Sequence, residues 1–598
     1  MATTKRGRHA EEAKVMTDKP IKGGVATWAC LPGFPPAVIF PFTPGERFGV
    51  RSLYEFQMLM YRPLYWLGRD GAPEIDWDLS VGEEPVWDET GRTCVVRIKP
   101  WKWSNGETVC ADNVIFWMNM LKVKGPRFGA YSEGYFPDNL VSFEKVADDK
   151  VSFTFDKAYS KNWVLLNQLT MITPMPKAWD RTADGPADAT HDIEQAEAVY
   201  EFLMAENGDV VEEDNSHRTR WADSPVWSVV NGPWRLKSYT EEGVVTFVPN
   251  EHYSGPNPAH LDELRQVSTT SDEQQYELLR SGDVQVGFLP PGMGVQPDGD
   301  PTKGGPNPLG DGFQLEPQIL FNINFMAVNF SNPTVAGNMI RQPYVRQALQ
   351  SCFDQEYGAR EVYQGYGWSQ TGSIPVLPKS DLVSPKIAER GGFWPFDLEK
   401  ARQLLADNGW DVTTSPAVCV RPGTGPGEAG EGIPAGTELS FSLRYWEGRP
   451  SLARLMAQFR DDAAKAGIEI RLEEVMGSVL VAEDGPGEKR MWQLSCWGGG
   501  WVYNYPTGEN LFQSGAACNF SNWRDAKADE LIAKTVTTDS LDALYEYQEY
   551  IAEQAPVIFM PTFPRRLFEV AGNLRGFSPI NPYGLINPEN WYYVEEGS

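Results

Sequence analysis

The sequence predicts an α/β protein that is built from more than one domain. Apolar residues alternate with polar ones at 439–445 and 468–472, and between them they recur every three or four residues at 452–465. These periods are typical of two strands and an intervening helix, and such a connection joins parallel strands of one sheet. A chain of 598 residues is also too long for one hydrophobic core. We therefore expect at least two α/β domains.

Strands and helices are predicted along the rest of the chain by the same two periods. Asp397 is a suitable N-cap for one helix, and Gly409 a suitable C-terminal stop for it. Pro343 fits the first turn of another helix. We expect strands at 23–29, 93–99, 235–239, 244–249 and 321–330, and helices at 52–60, 111–121, 196–204, 398–408 and from 343 onward.

The charge and the composition argue against several classes of function. The formal net charge is -28 and the pI is about 4.7, so neither nucleic acid nor an anionic membrane surface is expected as a partner. The chain contains no run of 18 apolar residues, so no transmembrane helix is predicted. Residues 1–20 are polar and basic, then acidic, and we interpret them as a disordered leader or linker left where an export signal has been replaced.

Motifs of catalysis and metal binding are absent from the sequence. There is no G-x-S-x-G, H-E-x-x-H or P-loop, and the seven cysteines include no C-x-x-C pair. We therefore expect no enzyme, no cofactor and no metal site. Two alternatives stay open for Cys496 and Cys518, a disulfide or two free thiols, because spacing along the chain does not test geometry.

The stretch C-W-G-G-G-W-V-Y-N-Y-P at 496–506 is the candidate ligand-binding segment. Glycines let a backbone approach a ligand closely, and indole and phenol rings offer flat surfaces with a polar group beside them. The alternative is a glycine-rich turn whose rings pack into the core. On the first interpretation, the candidate ligand-binding residues are Trp497, Gly499, Gly500, Trp501, Tyr503, Asn504 and Tyr505.

Five other blocks, in a fixed order along the chain, resemble one protein family. They are V-V-R-I-K-P-W-K-W-S-N-G-E-T-V-C-A-D-N-V from Val95, N-G-P-W-R-L-K-S-Y from Asn231, V-P-N-E-H-Y-S-G from Val248, V-R-Q-A-L-Q-S-C-F-D from Val345 and F-D-L-E-K-A-R-Q-L-L-A-D-N-G-W from Phe396. The chain resembles the extracellular solute-binding proteins of ABC importers, family 5, which bind oligopeptides, dipeptides or nickel. The likeness spans roughly residues 23 to 565.

The resemblance implies a two-lobed periplasmic-binding-protein-like fold, of type II, with a ligand cleft between the lobes. Lobe I would consist of 21–66, 223–320 and 556–598, an extra subdomain of 67–222, and lobe II of 321–555. The implied partner is an ABC permease in the membrane, to which a monomeric, exported and lipid-anchored protein delivers its solute. Closure of the lobes around the ligand would present a new surface to that permease.

The family's G-W-x-x-D-Y block is similar to the stretch from Gly500 to Tyr505, with Asn504 in place of the Asp. In peptide-binding relatives this Asp pairs with the α-ammonium of the peptide, whereas an amide favours a neutral, hydrogen-bonding end group. Asp484 and Glu509 are alternative acids for the same site. An oligopeptide-like ligand is the first hypothesis and an oligosaccharide the second, since Trp and Tyr rings stack on sugars, and nickel or heme comes after both.

Overall fold

The structure contains both helices and strands, as the sequence predicts, and the α/β class is confirmed. The computed structural model describes residues 20–31, 36–45, 50–208, 215–290, 292–297, 299–485, 490–579 and 581–595. Except for Pro20, the predicted leader at 1–20 lies outside these ranges. Within the described part of the chain, no helix has both the length and the apolar character needed to cross a membrane.

The first lobe is built on a seven-stranded mixed sheet. Val25–Ala29 runs parallel to Glu263–Val267, whereas Leu567–Ala571, from the far end of the chain, inserts antiparallel between two other strands. The predicted strands at 23–29, 235–239 and 244–249 are confirmed. In spatial order the strands are Trp234–Tyr239, Val245–Pro249, Glu263–Val267, Val25–Ala29, Val286–Phe288, Leu567–Ala571 and Phe313–Pro317.

The second lobe is built on a six-stranded mixed sheet. Ser440–Trp446 and Glu469–Val475 pair in parallel, and the helix Pro450–Lys465 connects them, so the predicted βαβ unit is confirmed. The other four strands of this sheet are Asn322–Val328 and its partners. Asn322–Val328 pairs antiparallel with Leu494–Cys496, Gly500–Val502 and Val557–Met560.

A smaller four-stranded sheet lies within 67–222, the predicted extra subdomain. Its strands are, in order, Val86–Trp87, Thr93–Arg97, Lys150–Phe155 and Leu140–Ala147. One buried apolar cluster contains Trp28 and Trp591 of the first lobe together with Trp117 of this region. The first lobe and the smaller sheet therefore share one core, to which Tyr505 and Val536 of the second lobe also belong, while most of the second lobe's core forms two other clusters.

Helices cover the sheets and begin and end close to where the sequence places them. The side chain of Asp397 accepts a hydrogen bond from the backbone N–H of Lys400 at 2.9 Å, which confirms the predicted N-cap. A helical segment over 50–60 contains a π-helical turn. The helix predicted from 343 onward is Pro343–Ser351, with nine residues. The helices with ten or more described residues are Ala111–Lys124, Ala196–Asn207, Asp272–Ser281, Leu398–Asp407, Pro450–Lys465, Ala526–Thr537 and Leu541–Gln554.

Two segments, 318–321 and 561–566, connect the lobes. They are joined by backbone hydrogen bonds from Gln318 N to Arg566 O at 2.8 Å and from Arg565 N to Gln318 O at 2.9 Å. The predicted return to lobe I at 556 is wrong, because Val557–Met560 belongs to the second sheet. All four residues of that strand are buried, as expected of an apolar strand that is covered on both faces.

The two cysteines next to the candidate stretch are not bonded to each other. Both Cys496 and Cys518 are free thiols, so the disulfide alternative is wrong. Cys496 is buried and its Sγ lies 3.6 Å from Sδ of Met560. Its role is therefore to pack in the core of the second lobe.

Candidate functional site

A cavity with a volume of about 720 Å³ lies between the two lobes. The first lobe contributes residues near 289–294, the second lobe contributes 322–324, 448–452 and 498–502, and the crossing segment contributes 562–567. A ligand in this cavity touches both lobes at once, which is the condition for binding to favour closure. A second cavity, of about 300 Å³, is enclosed by the second lobe alone, so a ligand there does not reach across the cleft.

The strand Gly500–Val502 forms part of the cavity wall and is an edge strand of the second sheet. It pairs antiparallel with Asn322–Val328, and no other described strand pairs with it. Side chains of a strand alternate between its faces. Gly500 and Val502 accordingly line the cavity together with their partners on the neighbouring strand, Asn324 and Asn322.

The ring side chains of the candidate stretch lie away from the cavity. Trp497 and Trp501 pack against an apolar cluster of the second lobe that includes Tyr503. Tyr503 is 3% exposed and Tyr505 is 5% exposed. None of these four lines the cavity. The prediction that these four rings form the cavity wall is wrong. For Trp501 and Tyr503 the reason is the two-residue period, which places the residues before and after Val502 on the opposite face. Gly499 and Gly500 do line the cavity, and their contact with a ligand stays a prediction.

Buried oxygen acceptors face the cavity without partners. Asn322 Oδ1, Asn324 Oδ1 and Thr562 Oγ1 accept no hydrogen bond from any described residue, although all three residues line the cavity. The amide of Asn324 is oriented by a hydrogen bond from Nδ2 to Pro561 O at 3.0 Å. Because unpaired buried polar atoms are costly, these oxygens are ready to accept hydrogen bonds from a ligand or from water.

The charged side chains of the cavity wall are mainly cationic. Arg449, Arg565 and Arg566 line it, against one carboxylate, Asp272. Arg449 lies 4.0 Å from the ring of Trp446 and donates to Trp497 O at 3.2 Å. Burial lowers the pKa of Arg449, and it lowers the pKa of Arg565 to about 10, which leaves Arg565 protonated at neutral pH. Sequence analysis missed all three arginines, and the only local signal was the consecutive pair at 565 and 566.

The match to known families agrees with this architecture. Residues 80–523 match the family described as bacterial extracellular solute-binding proteins, family 5 (middle). The chain belongs to this family. The resemblance inferred from the sequence is thereby confirmed, as is the two-lobed periplasmic-binding-protein-like fold. The family consists of extracytoplasmic binding proteins that serve ABC permeases, and they are not enzymes.

Several relatives of this solute-binding protein have recorded ligands. The oligopeptide-binding protein AppA of Bacillus subtilis (strain 168) is 23% identical over 540 residues, which are 87% of this chain and 84% of the relative. A solved structure of AppA with a nonapeptide has a TM-score of 0.64 at 18% identity, covering 96% of this chain and 100% of that one. The periplasmic EDTA-binding protein EppA has a TM-score of 0.70 at 18% identity, covering 98% and 100%.

Asn504 of this solute-binding protein connects the second lobe to the region 67–222. Its Nδ2 donates to Leu166 O at 3.0 Å, and Asn504 does not line the cavity. This corrects the prediction that Asn504 selects the end group of a ligand. A carboxylate at the same place has no N–H to donate, which is a structural reason for an amide here.

Asp484 and Glu509, the two acids predicted as alternatives at the position of Asn504, also lie outside the cavity. Asp484 accepts a hydrogen bond from Ser495 at 2.6 Å and pairs with Arg444. Glu509 is 4% exposed and accepts from Trp163 Nε1 at 2.7 Å, and burial raises the pKa of its carboxyl. Neither is available to a ligand in the cavity. In the described part of the chain, no group of three or more His, Cys, Asp and Glu residues is arranged to hold a metal ion.

Asn167 is the centre of the contact between the second lobe and the region 67–222. Its Oδ1 accepts from Tyr505 N at 2.7 Å, and its Nδ2 lies within hydrogen-bond distance of Tyr505 O at 3.2 Å and Glu509 Oε1 at 3.0 Å. Ser160 Oγ also donates to Asp539 at 2.6 Å. Since 67–222 shares a core with the first lobe, these bonds cross the cleft and break when the lobes separate.

Replacing Asn167 is expected to favour the open form. Asn167→Ala removes the bonds to Tyr505 and Glu509, and we expect it to shift the equilibrium by about 2 kcal/mol toward separated lobes. Small-angle X-ray scattering of the ligand-free protein should show a larger radius of gyration. Asn105→Ala, an exposed position of the same region, is the control. An unchanged radius for Asn167→Ala would show that this contact does not hold the lobes together.

Proposed function

We propose that this protein captures an oligopeptide-like solute in the cavity between its lobes and delivers it to an ABC permease. The observation that carries the proposal is the exposed edge of Gly500–Val502 at the cavity wall. An edge strand presents unpaired backbone N–H and C=O groups, and an extended peptide adds to it as one more strand. Backbone pairing of this kind accepts many side-chain sequences.

The charges and acceptors of the wall suit a peptide as well. The oxygens of Asn322, Asn324 and Thr562 match peptide N–H groups, and an arginine matches a peptide carboxylate. AppA, which is recorded as an oligopeptide-binding protein, resembles this chain over most of its length. An oligosaccharide is the second candidate. The stacked rings of Tyr363 and Phe563, with centroids 4.1 Å apart, are the observation that favours it, since both residues line the cavity.

We propose that the protein acts as a monomer, because lobe closure supplies the whole cavity from one chain. It acts on the outer side of the cell membrane, held there by a lipid anchor. A nickel or heme ligand has less support from the described residues than a peptide has, because the cavity wall contains no His or Cys.

A binding screen with backbone-modified peptides tests the proposal. The ligand-stripped protein is titrated with tetrapeptide pools and with oligosaccharides while its Tm is measured. At a hundredfold excess over Kd, a ligand adds about 2.7 kcal/mol of stability, so a binding peptide should raise the Tm by a few degrees. Methylating the backbone nitrogens of that peptide should weaken binding at least about tenfold, since each lost N–H removes a bond to the strand edge.

The controls of this screen separate the alternatives. Methylation at a side-chain amide of the same peptide should leave the affinity within about twofold. Stabilisation by oligosaccharides and by no peptide would replace the first candidate with the second. Equal affinity of the methylated and unmethylated peptides would exclude strand addition as the mode of recognition.

A further inference from the structure

Two consecutive arginines occupy the segment through which the chain crosses from the second lobe to the first. Arg565 and Arg566 both line the cavity. Their backbone is held by the two hydrogen bonds to Gln318, at 2.9 and 2.8 Å, in the other crossing segment. Like charges that are adjacent along the chain repel each other, so this placement requires compensation by negative charge.

The described side chains supply too little of that compensation. Arg566 is 5% exposed and forms an ion pair with Glu55 at 3.0 Å. Glu55 is shared, because Arg51 pairs with the same carboxylate at 3.1 Å. Arg565 has no side-chain hydrogen bond or ion pair with any described residue, and Asp272 is the one further carboxylate on the cavity wall.

Arg566 also keeps unused donors. Its Nε and Nη1 have no hydrogen-bond partner among the described residues. The rings of Phe288 and Phe568, each 5.6 Å away, stabilise the cation through their faces but accept no conventional hydrogen bond. A buried guanidinium with free N–H groups is costly in isolation. The ion pair with Glu55 leaves Nε and Nη1 of Arg566 without an acceptor.

We propose that Arg565 and Arg566 form a binding site for a carboxylate of the solute, and that this protein therefore selects acidic ligands. The inference rests on the proposed function, that the cavity between the lobes binds a solute. Guanidinium groups bind carboxylates through paired, charge-assisted hydrogen bonds. Asp272, the one acidic side chain of the cavity wall, does not oppose such a ligand as strongly as three arginines attract it.

The site has a mechanical consequence for closure. A carboxylate held by Arg565 and Arg566 lies against the crossing segment, while Arg449, on the second lobe, faces the same cavity. An anion between them reduces the repulsion that these arginines exert across the cleft. A neutral or cationic solute of equal size lacks this effect, so the closed form selects against it.

Tetrapeptide pools that differ only in charge test the inference. Their two central positions are both Glu, both Gln or both Lys, and each pool is made with a free and with an amidated C-terminus, so that a side-chain carboxylate is distinguished from the terminal one. We expect the Glu pool to bind at least about tenfold more tightly than the Gln pool, as measured by calorimetry. EDTA serves as a polycarboxylate that is not a peptide.

Arg565→Gln is the principal variant, because its side chain is half-buried and has no partner whose loss would unfold the protein. It should weaken binding of the Glu pool at least about tenfold and leave the Gln pool within about twofold. The double variant Arg566→Met with Glu55→Gln removes both charges of the buried ion pair at once. It too should weaken binding of the Glu pool and leave the Gln pool within about twofold. Arg280→Gln, an exposed arginine of the first lobe, should leave both affinities unchanged.

The outcomes separate this inference from the proposed function. If the Gln or Lys pool binds as tightly as the Glu pool, and Arg565→Gln changes nothing, selection of acidic solutes is excluded while peptide capture stands. If EDTA binds in an Arg565-dependent manner and no peptide does, the anion site stands and peptide capture is excluded. If neither the pools nor EDTA bind, both fail.

Discussion

Gly500→Ala is expected to detach the strand Gly500–Val502 from the second sheet. A Cβ at position 500 would lie 1.5 Å from Ile323 O and 2.8 Å from Asn324 Cα, both of which belong to the neighbouring strand. The clash is with backbone, so no rotation of a side chain relieves it. We expect a loss of about 3 kcal/mol in the free energy of unfolding, measured by urea denaturation. Solute binding should be lost with the strand.

The adjacent glycine provides a matched control for that substitution. A Cβ at Gly499 meets no atom within 4 Å. Gly499→Ala should therefore change the free energy of unfolding by no more than about 0.5 kcal/mol. Faster amide exchange at 322–328 and 500–502 in the first variant, and not in the second, would locate the damage. Equal stability of the two variants would show that the strands are not as close as the structure places them.

Glu569→Gln is expected to remove a pH-dependent loss of stability from the first lobe. Glu569 lies within the buried strand Leu567–Ala571, and burial raises the pKa of its carboxyl from 4.5 to about 7, although a hydrogen bond from Asn307 at 2.6 Å partly opposes the shift. A raised carboxyl pKa means that the folded protein binds the proton more tightly than the unfolded chain. The contribution to stability is therefore complete below pH 4.5 and is lost as the pH rises through about 7.

The free energy of unfolding, measured as a function of pH, tests the raised pKa of Glu569. Between pH 5 and pH 8, the free energy of unfolding of the natural protein should fall relative to that of Glu569→Gln, by up to about 3 kcal/mol. The neutral amide makes the variant the more stable of the two at pH 8. Glu277→Gln, an exposed position of the first lobe, controls for the loss of one negative charge. Parallel curves for Glu569→Gln and the natural protein would contradict the raised pKa.

Much of the fold was predictable because its signals are local. The apolar period over 450–465 and the alternation on either side of it predicted the βαβ unit, and Asp397 predicted the start of a helix. The strand Val557–Met560 was assigned to the wrong lobe for an equally physical reason. A strand whose residues are all buried has no polar face to indicate which sheet it joins.

The site was predictable only in part. The glycines at 499 and 500 were placed correctly at the cavity, whereas Trp501 and Tyr503 were not, although their alternation with Val502 was visible in the sequence. Alternation shows that two faces differ, but not which face meets the cleft. Asn504 acts across a contact with Leu166, which is remote along the chain, and no local pattern predicts that partner.

By itself, the sequence determined the α/β class, the order of the elements, the family and the segment from which one wall of the cleft is made. The class and the elements depend on periods within a few dozen residues, and the family depends on short motifs in a fixed order along the chain. Only the tertiary structure decided which residues of that segment line the cavity and which charges surround it. Arg565 and Arg566 meet Gly500 and Asn322 in one cavity because two crossing segments bring both lobes together there. The candidate stretch is thus a backbone wall with its rings in the core, and the arginines of the crossing segment form a cationic wall of the same cavity.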